Sequence, residues 1–170
     1  MNRLSLAVAA AGFVLIAGCK TGTHGVIGSY KIGEKVQVGP LIYTVFEAQN
    51  LTNIGEGLEA RLPKGRFLVI HLSVVNGGGN SDQQIPTVTL VDDQGESYTE
   101  LDNGAGVPQW LGLARKVRPA ESLTGDVIFD VPPKHYQLRI PDELDDRFAL
   151  VDIPPTFGLP EVRIDPLPSK

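Results

Sequence analysis

Residues 66–76 have the sequence RFLVIHLSVVN, and this stretch decides the fold of the chain. Its even positions from 68 to 74 are all aliphatic, whereas its odd positions combine apolar residues with His71 and Ser73. Side chains alternate across a β-strand, so one face of this segment is wholly apolar and the other is mixed. Lys64-Gly65 precedes the stretch and three glycines at 77–79 follow it, and both are breakers of regular structure. The stretch predicts a central strand of an antiparallel β-sandwich.

Two strands are expected before this stretch. Residues 35–38 and 41–49 predict a pair of strands that are joined at Gly39-Pro40. We expect Tyr43 and Val45 to point inward. The other register, with Ile42 and Phe46 inward, stays open because apolar residues occur on both faces.

Further short strands are expected after the central one. Asp92-Asp93-Gln94-Gly95 has the composition of a hairpin turn, and Pro86 favours an edge position because it has no N–H to donate. Apolar residues alternate in the segments 85–91, 123–131, 136–140 and 148–153.

The whole pattern favours an all-β chain. The chain contains 19 glycines and 13 prolines, and no apolar helical period follows the N-terminal segment. Many short strands separated by turns indicate an immunoglobulin-like antiparallel β-sandwich over residues 30–153, with a closed barrel as the alternative. Five prolines in residues 154–170 predict an extended tail.

Composition excludes several classes of protein. The 170 residues carry a net charge of −5 and no strongly basic segment, so we expect no nucleic-acid partner. The single cysteine, Cys19, allows neither an intrachain disulfide nor a multi-cysteine metal site. We expect no cofactor and no bound metal.

The N-terminal segment has the composition of a secretory signal. Arg3 precedes an apolar run over residues 4–17, which is shorter than the roughly 20 residues that a membrane-spanning helix needs. The run ends in Leu15-Ile16-Ala17-Gly18-Cys19, which resembles the lipobox of bacterial lipoproteins. The resemblance implies a signal peptide over residues 1–18, cleaved before Cys19.

The lipobox resemblance also implies an anchor. It implies that Cys19 carries fatty acyl chains such as palmitate, so that membrane lipid is a partner and the protein lies on the extracytoplasmic side. In a Gram-negative host, Lys20 at the position after the cysteine implies sorting to the outer membrane. Residues 19–29 are rich in Gly, Thr and Ser and predict a flexible tether.

A second resemblance rests on three sequence blocks, GRFLVIHLSVVN at 65–76, LVDDQGESY at 90–98 and PAESLTGDVIFDVP at 119–132. In this order they resemble a bacterial family of extracytoplasmic immunoglobulin-like domains, related in fold to the mycobacterial immunoprotective extracellular protein. The resemblance spans about residues 30–152 and implies no catalytic residues. Ala120 departs from the family's usual glycine and implies a type I turn or about 1 kcal/mol of strain.

Catalytic and metal motifs are scarce. The chain has no G-x-S-x-G, C-x-x-C or H-E-x-x-H motif, so we expect it not to be an enzyme. The G-x-G-x-x-A spacing at residues 55–60 precedes Pro63, which leaves no room for the helix that a dinucleotide site requires. His71 and His135 could meet across strands, which keeps a copper or zinc site as an alternative.

The long segment 101–117 is the expected contact surface. It contains the only tryptophan, Trp110, with Arg115 and Lys116 close in sequence. Aromatic residues on loops of a rigid sandwich are frequent contact anchors, although Trp110 could instead fold back to close one end of the core. The sequence therefore predicts a non-catalytic binding or scaffold module of the cell envelope, whose partner is an unknown envelope protein or polymer. A periplasmic metal-binding protein and an envelope-polymer hydrolase are the alternatives.

Overall fold

The computed structural model describes residues 25–155, which form eleven strands and one short 3-10 turn at Gly57–Glu59. The strands are β1 (Gly25–Lys31), β2 (Lys35–Val38), β3 (Leu41–Leu51), β4 (Arg66–Asn76), β5 (Gln83–Ile85), β6 (Thr89–Asp92), β7 (Ser97–Thr99), β8 (Arg115–Val117), β9 (Ser122–Val131), β10 (Tyr136–Pro141) and β11 (Arg147–Ile153).

Two sheets form the sandwich. One has five strands in the order β1-β11-β10-β6-β7, and the other has four in the order β2-β3-β4-β9. β5 and β8 pair separately as a two-stranded sheet. Among the described strands, neighbours are antiparallel except β1 and β11, which run parallel. The predicted all-β sandwich is confirmed.

The central strand has the predicted faces. β4 covers residues 66–76 and pairs with β3 on one side and β9 on the other. Its four even aliphatic side chains are at most 3% exposed and pack in the core between the sheets: Leu68, Ile70, Leu72 and Val74. Burying each such side chain contributes about 1.5–3 kcal/mol relative to leaving it exposed, which explains why this stretch organises the fold.

A bulge in β3 settles the register of that strand. Tyr43 and Val45 are buried, as expected, at 1% and 0% exposure. The pairing with β4 then skips Phe46, so that Glu47 is the next residue paired. The skipped Phe46 lies on the outside of the sheet and is 49% exposed.

The sandwich begins earlier than the sequence indicated. Residues 25–29, which we expected in a flexible tether, belong to β1, and β1 hydrogen-bonds to β11. The expectation was wrong because the Gly- and Ser-containing segment satisfies its backbone on the edge of β11 rather than by burying an apolar face. The predicted signal peptide, Cys19 and residues 156–170 of the predicted extended tail lie outside the described residues. Within residues 25–155, the structure contains no helix of the length and apolarity needed to cross a bilayer.

Candidate functional site

The segment between β7 and β8 is attached to the edge of the four-stranded sheet. Leu101 N–H donates to the Ile128 carbonyl at 2.8 Å, and Asp126 N–H donates to the Gln109 carbonyl at 2.8 Å. Leu111 N–H donates back to the Asp126 carbonyl at 3.0 Å. β9 is an edge strand, so these bonds satisfy backbone groups that would otherwise face solvent. The segment is therefore held in a defined position at that edge.

Trp110 packs into a second apolar cluster on the outer side of this sheet. Ile54, Phe67 and Ile128 are buried there, and the half-buried indole covers them. Gly104 lies flat against the indole, since a Cβ at that position would be 1.9 Å from the Trp110 Cδ2 atom. The indole therefore folds back against a cluster outside the main core while keeping part of its surface in solvent. Ile128 packs in this cluster, which explains why an apolar residue stands on a face of β9 that is otherwise polar, with Thr124, Asp126 and Asp130.

Arg115 is not a surface residue, which corrects the expectation that it contacts a partner. It is 4% exposed, and its guanidinium donates to the two Glu100 carboxylate oxygens at 2.6 and 2.9 Å. It also donates to the Gly112 carbonyl at 2.8 Å. β8 alternates, so Arg115 points inward while Lys116 points to solvent. Arg115 is buried whereas its neighbour Lys116 is exposed, so the three predicted contact residues do not share one exposed surface.

The Glu100 carboxylate is a buried junction. Besides Arg115, it accepts the Val88 backbone N–H at 2.6 Å. Burial raises the pKa of the nearby Tyr43 phenol, while the positive Arg115 acts in the opposite direction. The ion pair joins the start of the segment after β7 to β8 at its end, which fixes the intervening loop at both ends.

An open groove lies on the outer face of the four-stranded sheet, beside this loop. Glu47, His71 and Asp126 are directly paired across β3, β4 and β9, so they form one row on this face. His71 Nδ1 and Asp126 Oδ1 are 2.7 Å apart. The groove has a volume of about 320 Å³ and is lined by Glu47, Gln49, Val69, His71, Gln109 and Asp126.

The β3 bulge and the loop complete the groove. The bulge places the Phe46 ring on the outer face, with its centroid 5.8 Å from that of the His71 imidazole. Gln49 donates to the Glu47 carboxylate at 3.2 Å. Gln109 comes from the loop rather than from the sheet. Sequence reasoning missed this site because it depends on the bulge and on a contact between segments that are distant in the chain.

The groove offers hydrogen-bond acceptors, amide donors and an exposed aromatic ring. No serine, threonine, cysteine, lysine or arginine is among its lining residues. Its two carboxylates give it an acidic character around a single imidazole. This combination suits recognition of a polar ligand more than nucleophilic chemistry.

The two histidines that the sequence left open as an alternative metal pair, His71 and His135, do not meet in the structure. His71 lies on the four-stranded sheet, whereas His135 precedes β10 and contacts Asp93 at 2.8 Å and Asp152 at 2.7 Å. Both contacts raise the pKa of His135, that with Asp93 more strongly. Over residues 25–155, no three His, Cys, Asp or Glu side chains are gathered as metal ligands.

The fold and the groove define an immunoglobulin-like β-sandwich with a polar site on one outer face. Residues 30–148 match the family described as a domain of unknown function, DUF4352, and the chain belongs to that family. No curated protein matches the chain.

Solved structures share this fold. The yjhA protein of Bacillus subtilis is 19% identical with a TM-score of 0.56, covering 74% of this chain and 99% of that one. MPT63, a secreted protein of Mycobacterium tuberculosis, is 17% identical with a TM-score of 0.55, covering 73% and 95%. The ycdA protein of Bacillus subtilis, described as a "putative lipoprotein", is 14% identical with a TM-score of 0.54, covering 71% of this chain and 38% of that one. The expected fold relationship to a mycobacterial extracellular protein is confirmed.

Proposed function

We propose that this protein is a lipid-anchored, extracytoplasmic binding module of the bacterial cell envelope that holds a polar partner in its outer-face groove. The observation that carries the proposal is the groove formed by the Glu47-His71-Asp126 row and Gln109. The three residues of the row lie on three paired strands, and Gln109 lies on a loop that is hydrogen-bonded to β9. The site is therefore preorganised. A rigid scaffold with a loop-built wall is a common arrangement of binding sites.

The groove supports binding rather than catalysis. Catalytic carboxylates act best where closure of the site removes water and strengthens their electrostatic effect. Glu47 and Asp126 lie two strand spacings apart at the backbone, about 10 Å, and the groove between them is open. Such a face suits continuous contact with a polymer or another envelope component.

The anchor in this proposal rests on Leu15-Ile16-Ala17-Gly18-Cys19. More than one acyl chain at Cys19 would hold the domain at a membrane, since a single chain binds only marginally. Cys19→Ser is expected to stop incorporation of a labelled fatty acid and to leave an uncleaved precursor. A variant that still incorporates the label and matures to the same mass would contradict the anchor.

Capture of a partner tests the groove. The full-length protein is purified with its bound components from solubilised membranes, beside Gln49→Arg and the control Gln37→Arg. Both glutamines are exposed on the four-stranded sheet, but Gln37 lies in β2, outside the groove. We expect the unchanged protein and Gln37→Arg to retain the same component and Gln49→Arg to lose it. Equal retention by all three, or no specific component at all, would overturn the proposal.

A further inference from the structure

We propose that the groove recognises an amine-bearing saccharide chain, a polymer of amino sugars with free ammonium groups. This inference rests on the proposed binding function and names the ligand class of the same groove. It is drawn from three features of the site: its charge, its amide groups and its aromatic margin.

The charge of the groove favours a cation. Glu47 and Asp126 flank His71 in one row, and the lining contains no lysine or arginine. Glu47 is exposed. Among the described residues, its carboxylate has one hydrogen-bond partner, the neutral side-chain amide of Gln49. A ligand ammonium group would therefore meet a Glu47 carboxylate that no lysine or arginine of the groove neutralises. Such charge-assisted hydrogen bonds are stronger than neutral ones.

The remaining groups suit a sugar ring. Gln49 and Gln109 each have an amide that both donates and accepts, which matches hydroxyl groups that do the same. Phe46 exposes its ring at the margin of the groove, where it can cover the apolar C–H face of a pyranose. Val69 adds an apolar surface to the lining of the groove. The groove volume of about 320 Å³ falls at the small end of ligand sites, which fits one or two rings of a chain that continues beyond it.

A lysine-rich peptide is a weaker fit for this site. Peptides that bind sandwiches commonly add a strand to a free sheet edge and gain affinity from main-chain hydrogen bonds. At the groove, the β9 edge near Asp126 already bonds to Gln109 and Leu111. The ligand must therefore be recognised through side chains on a sheet face, which saccharide hydroxyl and ammonium groups allow.

Calorimetric titration of the full-length protein in detergent tests this inference with three probes. They are a glucosamine oligomer with free amines, the fully N-acetylated oligomer of the same length, and oligolysine of the same charge. The titrations are made below the pKa of the amino sugar. We expect the free-amine oligomer to bind at least about tenfold more tightly than either other probe, and less tightly as salt rises. No binding of the free-amine oligomer, or equal binding of oligolysine, would overturn the saccharide proposal.

A matched pair of variants locates the binding. Glu47→Gln removes the proposed ammonium acceptor, and Glu143→Gln removes the same charge from the exposed turn between β10 and β11. We expect Glu47→Gln to weaken binding of the free-amine oligomer about tenfold and Glu143→Gln to leave it unchanged. Equal effects of the two variants would contradict the site. If all saccharides fail but Gln49→Arg still abolishes capture from membranes, the ligand class is wrong while the proposed binding function stands.

Discussion

Ala120 shows how a single residue can be held against its own preference. Its φ is +58°, and the Glu121 N–H donates to the Arg118 carbonyl at 3.1 Å across the turn. This is the left-handed third position of a type II turn, so the strained outcome of the two that the sequence allowed is the one present. The Ala120 N–H also donates to the Asn76 carbonyl at 3.1 Å, which ties the turn to the end of β4.

Ala120→Gly is expected to stabilise the protein. A left-handed φ costs an L-residue about 1–2 kcal/mol, while glycine adds about 0.5–1 kcal/mol of unfolded-state entropy. The net gain in the free energy of unfolding should be about 0.5–1 kcal/mol, measured by urea denaturation. Ala114→Gly is the control, because Ala114 is exposed and has no positive φ, and it should be neutral or destabilising. A lower free energy of unfolding in Ala120→Gly would contradict the inference that the backbone is strained at Ala120.

Individual residues were predictable where alternation decides their environment. Tyr43 and the even positions 68–74 of β4 are buried as their pattern indicates. Arg115 was not predictable, because its burial depends on Glu100, a partner 15 positions away that enters from a different element. Nothing in the local sequence distinguishes a buried paired arginine from a solvated one.

At the scale of elements, the loop between β7 and β8 depends on the Glu100–Arg115 pair. The side chains of the pair are 0% and 3% exposed, so neither charge has access to water. Removing one partner would leave the other charge buried without compensation, which is far costlier than losing a surface pair.

Arg115→Leu is therefore expected to lower the free energy of unfolding by about 3–5 kcal/mol. Lys116→Leu, on the outward face of the same strand, should change it by less than about 0.5 kcal/mol. The double variant Glu100→Leu with Arg115→Leu should recover part of the loss, because no unpaired charge remains. If urea denaturation showed that Arg115→Leu lowers the free energy of unfolding by less than about 1 kcal/mol, the structural importance of the buried Glu100–Arg115 pair would be contradicted.

His135 links the turn between β6 and β7 to the end of β11. Its ring nitrogens contact Asp93 in that turn and Asp152 in β11, and Lys134 beside it binds Asp92 at 2.6 Å. The carboxylates, Asp93 foremost, raise the pKa of His135 above its ordinary value of 6.5. The protonated imidazole thus bridges the carboxylates of Asp93 and Asp152, and so connects the two segments that carry them.

The stability of the protein should fall as pH rises through the folded-state pKa of His135. The raised pKa means that the folded state binds the proton more tightly, so the contribution is complete below about pH 6.5 and is lost above the folded value. Melting temperatures of the protein and of His135→Gln, measured from pH 5.5 to 9, should converge as pH rises. A difference that is constant or grows with pH would contradict the link.

Elements were predictable where apolar residues alternate and not elsewhere. β4, β9 and β10 match the segments whose pattern is strongest. β1 has little apolar alternation and is held mainly by backbone hydrogen bonds to β11. It could therefore be recognised only from its pairing with β11 in the structure, not from its sequence. The groove combines a bulge with a loop contact, and neither has a signature in the local sequence.

In the whole molecule, the proposed anchor and the fold would together orient the domain. The Gly25 N–H donates to the Asp146 carbonyl at 2.9 Å, so β1 begins beside the turn between β10 and β11. A lipidated Cys19 would be separated from Gly25 by six chain steps, which span at most about 20 Å. That end of the sandwich should therefore face the membrane. The connection between β3 and β4 lies at the opposite end of the strands, where β11 finishes.

Quenching by brominated lipids tests this orientation. A fluorophore is attached through Leu144→Cys or through Leu58→Cys in the lipidated protein, since both leucines are well exposed, at 78% and 107%. The label at position 144 should be quenched more strongly, because its turn adjoins Gly25. Stronger quenching at position 58 would contradict the orientation.

Photo-crosslinking in the native envelope shows whether the partner binds in the outer-face groove. A photoreactive amino acid is placed at Gln49 or Gln109, which line the groove, or at Gln37, which lies outside it on the same sheet. Irradiation of cells should yield a crosslinked adduct from positions 49 and 109 and none from position 37. Adducts from position 37 alone, equal adducts from all three, or none from positions 49 and 109 would show that the partner does not bind in the groove.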